Sequence, residues 1–291
     1  MVTRFLSDTT AELPPELCRQ HDIRIVSQYI HFGEETYRDE VDISAAEFYK
    51  KQAASKELPK TSAPPPADFL PHFKEWLEVD EQSTIFCIHP SSEVSGTVRS
   101  AYTAREQILE DFPSADIRVI DTRVVSVGLG LMVLAAVEAT NSGVNPAELE
   151  ARLTKMQHSM HTYFVVDTLE FLAKGGRIGR ASHLMGSILD IKPILTLTDG
   201  VVESHSKART RKKSLDLMYE IVVRQAEKLN KGEGTIHLGI AHADCEDEAR
   251  QLAARLNETI KPEFSLFTVN GPAIGVHAGP GSLAVSCLSI P

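Results

Sequence analysis

Short apolar runs rich in β-branched residues alternate with stretches of helical hydrophobic periodicity along most of the chain. In the first half, VTRFLS, IRIVSQYIHF, STIFCIH and IRVID have the length and composition of strands. Helices are predicted at residues 15–20, 44–54, 67–77, 97–109 and 126–140, the second opened by a capping box of Ser44 and Glu47. Strands alternating with helices predict an α/β protein whose N-terminal half is a Rossmann-like, mostly parallel sheet with helices on both faces.

The pattern restarts after NSGVNPAELEARL, where a glycine and a proline mark a helix start near Pro146 and TYFVVD opens a second set of elements. We place a boundary near residue 160, giving α/β domains of 1–160 and 161–291. The second is expected to hold a helical TLEFLAK, a glycine turn KGGRIG and a helix near HLMGSIL. A hairpin of ILTL and VVESH should turn at Asp199 and Gly200 in type I′ geometry. A long helix over 212–230 then leads to the strand TIHLGIAH. Near the end, the apolar strands FSLFTV and SLAVSCL are joined by GPAIGVHAGPGS, which places four of the 17 glycines and two of the 15 prolines in 12 residues around a single ionisable group, His277. Glycine permits positive φ and close approach, and proline removes a donor, so the segment reads as a shaped backbone path rather than regular structure.

Composition adds bounds. A chain of 291 residues is near the size at which one core divides into two. Its net charge of −10 argues against a general affinity for nucleic acid or anionic membrane, although KARTRKK, from Lys207 to Lys213, holds five basic residues in seven. The N-terminus lacks a basic region followed by an apolar run, and the longest apolar helix, at 126–140, is shorter than the ~20 residues of a membrane span. A cytoplasmic protein without stable membrane insertion, capable at most of transient membrane contact, is therefore expected. Cys18, Cys87, Cys245 and Cys287 are widely spaced in mostly apolar surroundings, which suggests reduced thiols and no zinc site.

Three junctions in the first half are dense in hydroxyls: SDTTAELP from Ser7, TSAPPP from Thr61 and SSEVSGT from Ser91. In an open α/β sheet, ligands bind outside the carboxyl ends of strands, where loops enter helix N-termini. N-capping accounts for any one such loop. Three of them with a histidine-bearing glycine segment point to a hydroxyl-lined pocket. No G-x-S-x-G elbow and no Walker A pattern is present, and Gly279, Gly281 and Ala284 lie too close to the end of the chain to serve as a dinucleotide fingerprint. His237, His242 and Asp244 read as strand-end histidines beside a capping aspartate. An enzyme alternative, a hydrolase of acyl esters using Ser95 or Ser92 with His277 as base, lacks an orienting third group near His277.

With these residues in view, the chain resembles the DegV family of bacterial fatty-acid-binding proteins, the carrier subunits of a fatty acid kinase. The resemblance runs nearly end to end, through SDTTAELP, TSAPPP, SSEVSGT, VIDTRVVSVGLG, FVVDTLEFLAKGGRIG, KPILTLTDG, KART and GPAIGVHAGPGS in that order. It implies two α/β domains with one long-chain fatty acid between them, the acyl chain in an apolar tunnel and the carboxylate near the surface. By position, Thr61 and Ser95 would bind the carboxylate, supported by Ser62 and Ser92. Arg209 and His277 would complete the polar wall, and Arg177 would lie on the face that docks the kinase. The carrier would itself be no enzyme and need no cofactor. A separate ATP-dependent kinase, related to dihydroxyacetone kinases, would convert the bound acid to an acyl phosphate. VGLGLMVLAAV after Ser126 and LMGSILDIKPILTL from Leu184 are candidate tunnel walls. The chain departs from the family pattern at Ala63, Val94 and Val276, where Gln, Leu and Thr are common, and at His89 and Pro90.

Overall fold

A computed structural model describes residues 2–185, 191–232 and 234–290. The first unit is a four-stranded, wholly parallel sheet made of β1 (Thr3–Asp8), β2 (Ile23–Val26), β6 (Thr84–His89) and β7 (Asp116–Asp121), in the order β2-β1-β6-β7. Phe5 pairs with both Ile23 and Phe86, which fixes the register. Parallel strands covered on both faces read as continuous apolar runs, and all six residues of β6 are buried. Helix α1 (Pro15–Gln20) joins β1 to β2. One face is covered by α3 (Leu70–Val79) and α4 (Thr97–Asp111), which pack Phe73, Trp76 and Ala101 against Leu6, Ile85 and Cys87. The other face is covered by α5 (Val127–Asn141) and α6 (Pro146–Ser159).

The run IRIVSQYIHF is not one strand. It breaks at Ser27–Gln28, and β3 (Tyr29–Phe32) leaves the parallel sheet to form a three-stranded antiparallel sheet with β4 (Glu35–Arg38) and β5 (Lys60–Ser62). Gln28, at the break, is buried. Between β4 and β5 lies α2 (Ala45–Ala54), whose Ser44–Glu47 capping box forms, with the Ser44 N–H donating to Glu47 Oε2 at 2.9 Å.

The second half builds a six-stranded mixed sheet, β10-β9-β8-β13-β11-β12, from β8 (Met160–Val165), β9 (Lys192–Thr198), β10 (Val201–Ala208), β11 (Thr235–His242), β12 (Phe264–Val269) and β13 (Leu283–Ile290). Only β11 and β12 pair in parallel. The β9–β10 hairpin turns at Asp199 and Gly200 with φ of 52° and 80°, as a type I′ turn requires. Helices α8 (Arg211–Leu229) and α9 (Glu246–Ile260) cover its outer face. A short α7 (Glu170–Lys174) precedes the KGGRIG turn, and a single 3₁₀ stretch, Gly179–Leu184, stands where HLMGSIL suggested a helix; residues 186–190 of that segment lie outside the described residues.

Helix α5 is apolar around most of its circumference because it is buried there, with Glu138 and Asn141 exposed toward its C-terminal end. Its core joins Phe5, Phe86 and Ile88 of the first sheet to Ala241, Leu266 and Leu288 of the second. Gly128 allows this approach, since a Cβ there would stand 2.9 Å from Thr162 Oγ1 and 3.0 Å from Ser286 Oγ. The residues 127–137 taken as a tunnel wall are therefore packed core. The glycine-rich segment also differs from expectation, for it contains a regular helix, α10 (Pro272–Ala278). Pro272 occupies its first turn, where the missing N–H costs nothing, and its apolar side joins Ala273 and Val276 to Ile30 and Phe48.

Candidate functional site

The loops that follow β1, β6 and β7 converge at the carboxyl ends of the parallel sheet, opposite β8, β13 and α10. They enclose a cavity of ≈ 230 Å³. One part of its wall is apolar, formed by Val125, Phe164, Leu172, Leu197, Val202 and Leu283. The other is polar and contains Thr61, Ser62, Ser95, Arg177 and His277, together with Gln28, Ser126 and Asn270.

His277 is held near the C-terminal end of α10, with Nε2 2.7 Å from Thr61 Oγ1 of β5. Its Nδ1 is buried and, among the described residues, has no hydrogen-bond partner. An unpartnered N–H costs more than an unpartnered lone pair, so the proton belongs on Nε2 and is donated to Thr61. The Thr61 hydroxyl is then free to donate into the cavity. Burial, and secondarily the Arg177 guanidinium, push the His277 pKa down to about 4, so the ring is neutral at physiological pH. The ring also packs directly on Gly175 of the KGGRIG turn, where any side chain would collide with Nδ1.

Arg177 donates from Nε to Val94 O at 3.0 Å and from Nη1 to Gly175 O at 2.7 Å, bonds that tie the Ser91–Gly96 loop to the turn after α7. Neither bond uses Nη2, and among the described residues Arg177 forms no salt bridge. Ser95 lies in the same wall, 2.9 Å from Thr97 Oγ1. Ser62 lines the rim, exposed and 2.9 Å from His31 Nε2.

Three expected placements are corrected. Ser92 turns outward and donates to Asp121 Oδ2 at 2.5 Å, so it does not reach the cavity. Arg209 follows β10, the edge of the second sheet, and its exposed side chain is absent from the cavity wall. Arg177, expected on an outer docking face, forms part of that wall because its guanidinium folds inward onto two carbonyls. Ser95 and His277 are not coupled either: Ser95 meets Thr97 and His277 meets Thr61, so the hydrolase pair does not form. Of LMGSILDIKPILTL, Leu197 lines the cavity, while residues 186–190 lie outside the described residues.

Several polar groups around the cavity escaped the sequence reading. Ser126 donates to Asn270 Oδ1 at 2.8 Å. Asp8, wholly buried, accepts from Thr10, from Gln28 Nε2 at 3.2 Å and from His89 Nδ1 at 2.8 Å. The hydroxyl-rich SDTT motif marked Asp8 and Thr10, and a histidine ending an otherwise apolar strand marked His89; nothing in the sequence marked Gln28.

A larger, more open depression of ≈ 1440 Å³ is bordered by Glu12, Asp39, Glu40, Asp244, Glu246 and Glu248. Burial raises the Glu12 pKa strongly, and burial lifts Asp39 to about 7 against the pull of the Thr9 hydroxyl and the Ala273 N–H. These carboxyls serve the start of α10, where the Gly271 N–H donates to Glu12 Oε2 at 2.8 Å. An acidic rim disfavours an anionic ligand. Among the described residues, no group of three or more His, Cys, Asp or Glu could hold a metal ion, and no helix is long and apolar enough to cross a membrane.

Fold and site together define an α/β protein of three sheets with a partly apolar cavity whose wall includes hydroxyls, an imidazole and a guanidinium. The chain belongs to the DegV family: the model described as "Uncharacterised protein, DegV family" matches residues 4–289. A DegV domain-containing protein of Clostridium acetobutylicum is 33% identical over 289 residues, covering 98% of this chain and 97% of its own. Among solved structures, a fatty-acid-binding DegV family protein from Thermus thermophilus superposes with a TM-score of 0.91 at 32% identity, over 99% of this chain and 100% of its own. A stearic-acid-binding protein from Eubacterium ventriosum gives a TM-score of 0.91 at 26% identity, over 99% and 98% of the two chains.

Proposed function

We propose that this protein binds one long-chain fatty acid, with the acyl chain along Val125, Phe164, Leu197 and Val202 and the carboxylate at Thr61, Ser95 and Arg177, beside His277. The observation that carries this reading is a cavity that combines apolar side chains with a linked set of polar ones, Thr61 bonded to His277 and Arg177 bonded to the loop that carries Ser95. A tail of ~14 methylenes, at about 0.8 kcal/mol each, gains roughly 11 kcal/mol on burial before ordering costs, so the head group needs satisfaction more than added affinity. A guanidinium without a carboxylate partner and two hydroxyls supply it. The fatty-acid-binding relatives of the same fold support the ligand class.

In this reading the ligand lies between units 1–160 and 161–291, and the protein is a carrier that presents the acid to a separate ATP-dependent kinase for acyl phosphate formation. Ser95 borders both the cavity and an outer groove along α4 lined by Ser92, Arg99 and Tyr102, so the proposed carboxylate position lies close to the surface. Native mass spectrometry of the purified chain, before and after delipidation and incubation with palmitate or oleate, tests the reading. One bound acid per chain supports it; an empty protein that takes up neither acid overturns it.

A further inference from the structure

Ser95 is not an isolated hydroxyl. It ends a buried chain of hydrogen bonds whose direction can be worked out from the other end. Asp8 Oδ1 lies 3.2 Å from Gln28 Nε2, and the same nitrogen lies 2.8 Å from Thr97 Oγ1. Asp8, Gln28 and Thr97 are 0%, 3% and 0% exposed, so water cannot reverse these bonds. Turned end for end, Gln28 would set its carbonyl against the Asp8 carboxylate, acceptor to acceptor; the nitrogen must therefore face Asp8. That nitrogen donates once to Asp8 and once to Thr97.

Thr97 Oγ1 thus accepts from Gln28, and its own proton needs an acceptor. The remaining contact is Ser95 Oγ, at 2.9 Å. Were Ser95 the donor, the fully buried Thr97 hydroxyl would carry an orphan proton, at a cost of about 1–3 kcal/mol. So Thr97 donates to Ser95, and Ser95 Oγ also accepts the Thr97 backbone N–H at 3.3 Å. With both acceptor positions of Ser95 occupied, its proton is free for an acceptor in the cavity that Ser95 lines.

We propose that Thr97 and Gln28 are positioning residues that lock the Ser95 hydroxyl as a donor into the cavity, so that the site selects an ionised carboxylate over an uncharged head group of the same chain length. The inference rests on the fatty-acid reading above. Thr97 lies outside the cavity wall and acts only through Ser95, whereas Gln28 borders the cavity and reaches Ser95 through Thr97.

The test uses the delipidated full chain, with palmitate and hexadecanol titrated by calorimetry and the pKa of carboxyl-labelled palmitate followed by carbon NMR in the bound state. Thr97→Val should weaken palmitate about fivefold at neutral pH, the worth of roughly one hydrogen bond, while hexadecanol changes by less than about twofold. Because only the ionised form loses the aimed donor, the bound carboxyl pKa should rise by about 0.7. Thr97→Ser should restore both values, and Thr97→Ala, which removes the same donor without adding bulk, should act in the same direction if Thr97→Val does not fold. Equal weakening of palmitate and hexadecanol with an unmoved pKa would make Thr97 a packing residue and overturn the proposal, as would a variant indistinguishable from wild type. If the wild type binds no palmitate, the fatty-acid reading fails and this inference falls with it; wild-type binding beside an unresponsive variant sinks this inference alone.

Discussion

Thr61→Val removes one oxygen and keeps the shape of the side chain, which makes it a clean probe of the cavity's polar end. Among the described residues, Thr61 is the only hydrogen-bond partner of the His277 ring, whose Nδ1 has none. The substitution leaves a largely buried N–H without an acceptor, a cost of about 1–3 kcal/mol to stability. In the complex it also deletes a hydroxyl donor to a carboxylate, worth about 1.5–3 kcal/mol, so palmitate affinity should fall about 10- to 100-fold. The bare His277 N–H can turn to the ligand in part compensation, which favours the lower end. Calorimetric titration of the delipidated protein, beside thermal melting, measures both effects, with Thr61→Ser as the control that keeps the hydroxyl. A folded Thr61→Val protein binding palmitate within about twofold of wild type would refute the assignment of Thr61 to the head group.

Other outcomes follow from the same geometry. His277 should stay neutral in the ligand-free protein down to about pH 4, and NMR titration of its ring near the ordinary value of 6.5 would contradict the burial described for it. Arg177→Met removes the second cause of that depression and a cation from the polar end; His277 should titrate higher and palmitate should bind about tenfold more weakly, whereas Arg209→Met should change neither. Asp39 is held protonated by burial, with its pKa raised from 3.8 to about 7; its ionisation therefore costs the fold stability as pH rises through that window. Asp39→Asn should match wild type near pH 4 and gain in melting temperature relative to it toward pH 7. A difference independent of pH would show that Asp39 does not titrate there. His277 contributes the opposite slope between about 4 and 6.5, which is why the comparison is made as a difference between the two proteins.

Sequence pattern revealed most of the architecture where local chemistry decides it. The Ser44–Glu47 box, the Asp199–Gly200 turn and the buried run TIFCIH each declare their structure within a few residues. What was hidden depends on partners far along the chain. Gly275 suggested an irregular path, but it lies within a helix and clears Phe48, whose Cε1 would stand 2.6 Å from an added Cβ. The resemblance brought Thr61, Ser95 and His277 forward, and the structure sets them around one cavity. It gave Ser92 a supporting place beside Ser95, and could not see that Asp121, 29 residues along the chain, captures the Ser92 hydroxyl. The placement of Arg177 and Arg209 was hidden for a similar reason: two carbonyls, Val94 O and Gly175 O, hold the first at the cavity wall, while the second lies beyond an edge strand.

The central claim concerns where a carboxylate sits, and a crystal structure of the protein with palmitate tests it most directly. The account requires the carboxylate oxygens within hydrogen-bond reach of Ser95 Oγ and Thr61 Oγ1, with Arg177 beside them and the alkyl chain running toward Leu197 and Val202. A carboxylate at the apolar end, or palmitate lodged in the acidic depression by Glu12 and Asp39, would contradict it.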